Sequence, residues 1–69
     1  MKLIELLPKI SPDNYVVVVD YRTRKIIMCG YVDIENFTDS DLYTVDKISI
    51  YDDFVLSIYV THVDFHSIL

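Results

Sequence analysis

The segment His62-Val63-Asp64-Phe65-His66 carries the one metal-like pattern in the chain. In a strand it sets His62, Asp64 and His66 on one face; in a helix His62 and His66 fall at i and i+4. Imidazole and carboxylate both suit zinc. A metal site also needs rigid support behind its ligands, which a terminal segment supplies poorly. The segment is therefore read as a last strand or a solvated tail, and no metal or cofactor is expected. Cys29 and His62 offer a nucleophile and a base, but a catalytic thiol needs an electropositive setting. Cys29 instead has apolar sequence neighbours and reads as a small hydrophobe. Asp52-Asp53 reads as turn chemistry, and Asp39 and Asp41 as the acidic start of a helical turn. With Gly30 as the single glycine there is no glycine-rich phosphate loop. No catalytic residue is assigned, and an enzyme is not expected.

Two other groupings suit binding. Six tyrosines stand in the chain, and tyrosine favours interfaces because it joins a large apolar body to a polar tip. Arg22, Arg24 and Lys25 form a basic cluster that can hold phosphate or an acidic partner. Against it stands the overall charge of −5. Residues 1–32 hold five basic and three acidic groups, net +2, and residues 33–69 one basic and eight acidic, net −7. Nucleic-acid binding draws on basic surface to neutralise phosphates, so this balance weighs against it. Asp33, Glu35, Asp39, Asp41 and Asp46 instead form an acidic stretch suited to a basic protein partner.

Elements must position these groups. Lys2 to Leu7 reads as a two-turn helix with Leu3, Ile4 and Leu7 as its apolar stripe, broken by Pro8 and Ser11-Pro12-Asp13. Strands are expected at Asn14–Asp20, Lys25–Val32, Val45–Ile50 and Phe54–His62. The tip Tyr21-Arg22-Thr23-Arg24 lacks Asn-Gly, which favours a four-residue loop. Thr38-Asp39-Ser40-Asp41 reads as a helix start, with Ile34 and Phe37 plugging the core edge. A three-residue loop, Tyr51-Asp52-Asp53, would pair Ile50 with Phe54 and Ile48 with Leu56, its last residue left-handed. The fold class is α+β: one domain, 1–69, with a short N-terminal helix on one face of a four-stranded, mainly antiparallel sheet. Strand order stays open between a simple meander and strand one beside strand four.

Tyr15 to Val19 is apolar on both sides of its pleat, so both sheet faces need cover, and one small helix covers one. The expected helix face holds Val17, Val19, Ile26, Met28, Ile48, Ile50, Phe54, Leu56, Ile58 and Val60. The other holds Val16, Val18, Ile27, Cys29, Tyr31, Lys47, Ser49, Val55, Ser57, Tyr59 and Thr61, and its Val16, Val18, Ile27, Tyr31, Val55 and Tyr59 are expected to form a self-association face. A chain of 69 residues is marginally stable unless stapled. Disulfides cannot staple it with one cysteine, which leaves a metal, an unusually good core or oligomerisation. Met1–Ile10 shows no signal-peptide pattern, and no run of about 20 apolar residues occurs. The expectation is a cytoplasmic protein without membrane contact.

Leu6-Leu7-Pro8, Tyr15-Val16-Val17-Val18-Val19-Asp20, Gly30-Tyr31-Val32-Asp33-Ile34, Val45-Asp46-Lys47-Ile48 and Leu56-Ser57-Ile58-Tyr59-Val60 together form a pattern. It resembles small proteins encoded by phages and prophages of Firmicutes. The tip departs from it, with Tyr21-Arg22-Thr23-Arg24 in place of an Asp/Gly-rich turn. The resemblance brings no catalytic residues. It implies an accessory protein of a mobile element, such as an inhibitor of host defence of the anti-CRISPR kind, whose carboxylates imitate nucleic-acid phosphates on a nuclease. Two other functions compete with it. One is a small nucleic-acid or nucleotide binder, with Tyr31 and Tyr59 stacking bases above the Arg22–Lys25 tip. The other is a structural homo-oligomeric phage subunit.

Overall fold

The structure is a computed structural model that describes residues 1–32, 37 and 39–63. It contains helix α1 (Leu3–Leu6), strands β1 (Tyr15–Asp20), β2 (Ile26–Tyr31), β3 (Tyr43–Asp52) and β4 (Val55–His62). These make one short helix on a four-stranded sheet, the expected α+β class. The sheet order is β2-β1-β4-β3. The two hairpins are antiparallel, and they join through a parallel β1–β4 pair, so the sheet is mixed. Of the two orders left open by the sequence, the one with strand one beside strand four is found. Among the described residues no helix is long and apolar enough to cross a membrane.

Helix α1 is shorter than the expected Lys2–Leu7. Pro8 has no N–H for an i−4 bond, and the chain tightens into a 3-10 turn over Leu7–Lys9. At the other end the Lys2 N–H donates to Glu5 Oε1 at 3.0 Å, which satisfies one open donor of the first turn. Met1 and Lys2 also tie down β3: Lys2 bridges Thr44, and the Val45 N–H donates to the Met1 carbonyl at 2.8 Å.

The core gathers Leu3, Leu6, Leu7, Val16, Val18, Phe37, Ile58 and Val60. Phe37 is buried from the connector, as expected, while Ile34 lies outside the described residues. The helix stripe is Leu3, Leu6 and Leu7, with Ile4 exposed. A 3-10 turn at Ser40–Leu42 follows Asp39, whose φ is 58°. This is the expected helical turn reduced to its shortest form.

Strand β1 is inverted relative to expectation. Val16 and Val18 are 0% exposed beneath the helix, whereas Val17 and Val19 face the other side. The parallel register sets this: Val16 lies beside Leu56 and Val18 beside Ile58, so all four share a face. An all-valine strand carries no pattern that decides between its faces. The tip does close as Tyr21–Arg24, with the Asp20 N–H donating to the Lys25 carbonyl at 2.8 Å and Arg24 at φ 63°. The Asp20 carboxylate accepts from the N–H groups of Arg22 and Thr23. Beyond the tip a bulge intervenes: Val19 pairs with Ile26, but Val18 pairs with Met28. Ile27 and Met28 then both pack against the core. Ile27 and the two valines are therefore withdrawn from the expected self-association face.

The β3–β4 register also differs. Ile50 pairs with Leu56, Ile48 with Ile58 and Asp52 with Val55, so the turn is Asp53-Phe54 and a bulge falls between Ile50 and Asp52. The two apolar sets still share a face, as expected, but slide by two residues. Extra twist from the bulge and the Asp53 N–H donating to Asp52 Oδ1 at 2.7 Å replace the left-handed residue. The four-residue helix leaves the hairpin end uncovered, with Ile48 at 48% and Ile50 at 77% exposure. Ile58→Val is expected to cost about 1 kcal/mol, and Ile50→Val close to nothing, as read from urea midpoints. Equal costs would contradict this placement of the core.

Candidate functional site

The sheet face away from α1 has no cover from any described element. Along its centre Val17, Val19, Ile26, Tyr51, Val55, Ser57 and Tyr59 line a shallow depression of about 370 Å³. Strand alternation explains the set: Val17 and Val19 on β1 share this side with Ser57 and Tyr59 beside them on β4. The lining is mostly apolar, with Ser57 and two tyrosines as its polar side chains.

Each end of the face carries an aromatic cluster. At one end the Tyr15 and Tyr31 rings meet edge-on, 5.4 Å apart at 89°. Cys29 beside it, first through side-chain hydrogen bonding and then through charge, and after these desolvation, hold the Tyr15 phenol above its ordinary 10.0. At the other end Tyr21 meets Tyr59 edge-on at 6.2 Å. The Arg24 guanidinium lies 5.1 Å from the Tyr21 ring and 5.6 Å from the Tyr59 ring, and Lys47 Nζ 5.8 Å from Tyr59. These are cation–π distances. One tyrosine is thus faced by two cations.

Of the six residues expected on the self-association face, Tyr31, Val55 and Tyr59 lie on this open face, and Val16, Val18 and Ile27 do not. Cys29 is exposed rather than packed as a small hydrophobe, because its side of β2 is the uncovered one. Sequence reasoning missed the Tyr21–Arg24–Tyr59–Lys47 cluster. The sequence sets the basic tip near Tyr59 and puts Lys47 on the face of Tyr59, but nothing in it joins Tyr21 and Arg24 to that ring; Lys47 comes level with Tyr59 just after a bulge in β3.

Among the acidic residues, Asp39 and Asp41 are exposed on either side of the start of the Ser40–Leu42 turn. Asp46 sits at the β3 bulge, and its carboxylate accepts a hydrogen bond from the buried Thr61 hydroxyl. It therefore has a structural duty. Asp33 and Glu35 lie outside the described residues, as do Asp64 and His66. Among the described residues no three His, Cys, Asp or Glu gather as a metal site. The His62 ring stands edge-on to Tyr43 at 5.2 Å. Cys29 and His62 cannot act as a pair. Cys29 lies level with Val17 and Ser57, five residues from His62 along β4, which is about 16 Å and on the opposite face. Family models, curated proteins and solved structures give no match to this chain.

Two outcomes follow. Asp46→Ala strands the Thr61 hydroxyl and should cost about 1–3 kcal/mol. Asp41→Ala should stay within about 0.5 kcal/mol; equal urea midpoints for the two variants would refute the duty of Asp46. The raised Tyr15 group favours its neutral form in the folded state. Its contribution is complete below pH 10.0 and is lost as pH rises above that. The alkaline fall in stability should be shallower in Cys29→Ala, measured as urea midpoints at about pH 9 and about pH 11.

Proposed function

We propose that this chain is a non-enzymatic protein-binding module and that the open sheet face is the surface it presents. The observation that carries this is the asymmetry of the sheet. One face is lidded by α1 and Phe37. The other leaves Val17, Val55, Ile26 and Tyr59 around a depression with no described element above it. Contiguous apolar surface with aromatic ends is what interfaces use. The net charge of −5 favours a basic protein over nucleic acid, with exposed Asp39 and Asp41 steering encounter. The resemblance to small phage proteins narrows this proposal to an inhibitor of host defence that occludes a nucleic-acid-binding protein in the bacterial cytoplasm.

A second reading has its own observation. Arg24 set between Tyr21 and Tyr59 is a stacking platform with a cation, the arrangement that single-strand binders use. The two readings part experimentally. Ser57→Arg plants a charge mid-face without touching the core. On the protein-binding reading, wild type captures a partner from bacterial lysate, the variant loses it at least about tenfold, and short single strands at low salt leave tyrosine fluorescence unchanged. Capture that is identical for both chains would remove the open face from the proposal. Strand-dependent quenching that Arg24→Ala abolishes would favour the second reading instead.

A further inference from the structure

The two edges of the sheet are unequal. Strand β3 is guarded in the ways that edge strands commonly are. Bulges fall after Val45 and after Ile50, and Met1 and Lys2 pair with Thr44 and Val45. Three of its residues, Asp46, Lys47 and Asp52, are charged. Among the described residues, strand β2 has none of this beyond one bulge at its start. Ile26-Ile27-Met28-Cys29-Gly30-Tyr31 carries no charge and no proline.

The hydrogen bonds show which groups of β2 point outward. Tyr15 and Tyr21 donate their N–H groups to Phe54 and Val60, toward β4, whereas Asp20 donates to Lys25, toward β2. Alternation along β1 therefore aims Val16 and Val18 at β2. Their partners are Gly30 and Met28, whose backbone groups point inward to β1. Cys29 and Tyr31, between and beyond them, point their N–H and carbonyl groups away from the sheet. Among the described residues, no backbone bond outside the ladders ends on either of them.

We propose that β2 is the edge through which two copies of this chain join, antiparallel and across a two-fold axis, into one eight-stranded sheet. It goes beyond the function proposed above, since it uses the edge and leaves the open face free. The axis must stand normal to the sheet for the faces to continue, so residues that meet must share a side. Centring it on Cys29 sets Cys29 opposite itself, Gly30 opposite Met28 of the second copy, and Tyr31 opposite the Ile26–Ile27 bulge. This register engages the full six-residue strand. Registers centred one residue to either side shorten the overlap. It places outward-pointing Cys29 against outward-pointing Cys29, as a hydrogen-bonded pair requires. It also covers Ile26 and Tyr31, which stand 64% and 61% exposed.

Three observations choose a second copy over a foreign strand. An uncharged strand pairs with itself without like-charge repulsion, even in a chain of net charge −5. The guarded β3 edge stops growth, so pairing closes at two copies and does not run into fibres. Association is one of the staples open to a small domain with no disulfide.

The test uses the full chain. Sedimentation should show a dimer at about 200 µM that dissociates on dilution to about 1 µM, within the range of modest interfaces. Amide exchange at Cys29 and Tyr31 should slow at least about tenfold at the higher concentration, while that at Ser49 on β3 should not change. A short bis-maleimide should give covalent dimer through Cys29 in wild type and none in Cys29→Ser, which still dimerises. Cys29→Pro removes an outward N–H and leaves the β1 bonds intact, and it should be monomeric with an unchanged circular dichroism spectrum. A monomer at about 200 µM, or exchange at Cys29 and Tyr31 that ignores concentration, would overturn the proposal whether or not the proline variant folds. A dimer that Ser57→Arg breaks and Cys29→Pro spares would assign association to the face instead.

Discussion

The parallel pairing of β1 with β4 governs the rest of this molecule. Each strand belongs to a hairpin that could be built locally, but neither hairpin has a core of its own. Setting Val16 beside Leu56 and Val18 beside Ile58 makes a four-residue apolar floor at the centre of the sheet. Helix α1 and Phe37 close over it. The same register leaves Val17, Val19, Ser57 and Tyr59 on the reverse side, over which no described element lies. Covered core and bare face are two results of one alignment. A slip by one residue would exchange them.

Much of this was legible in the residues. Four strands, a short opening helix, a four-residue tip and a buried Phe37 follow from period, breakers and turn chemistry. The expectation of a second face without cover from the helix comes from the same reading, since one lid cannot shield two sides. Which side would be bare was not legible. Tyr15 to Val19 offers valine in both directions, and the choice is made by a strand that comes much later in the chain. Bulges were the other gap. The sequence gives no glycine or asparagine signal for the irregularity between Val18 and Val19 or that between Ile50 and Asp52, yet each redirects a whole strand end. Gly30 is different. Its φ of 152° suits glycine, although a side chain there would meet no atom within 4 Å. Backbone geometry, and not space, holds that position.

Candidate site residues were legible in kind more than in arrangement. Tyrosine and the basic tip stood out by composition, but only the fold brings Arg24 to Tyr59 and Lys47 to the same ring. Asp46 shows the opposite case. It counts toward the acidic balance, yet its carboxylate is engaged by Thr61, a buried hydroxyl that would otherwise lack a partner. Charge summed along a sequence overstates the charge available to a partner.

The central pairing also has a consequence for how the chain is made. Val16 and Leu56 are neighbours in space and 40 positions apart in sequence. Non-local parallel contacts close late, because a long loop must be ordered before any of them forms. As the chain emerges from a ribosome, the first hairpin waits without its central neighbour until the last strand arrives. A fold this small thus completes its core only when its own far end arrives.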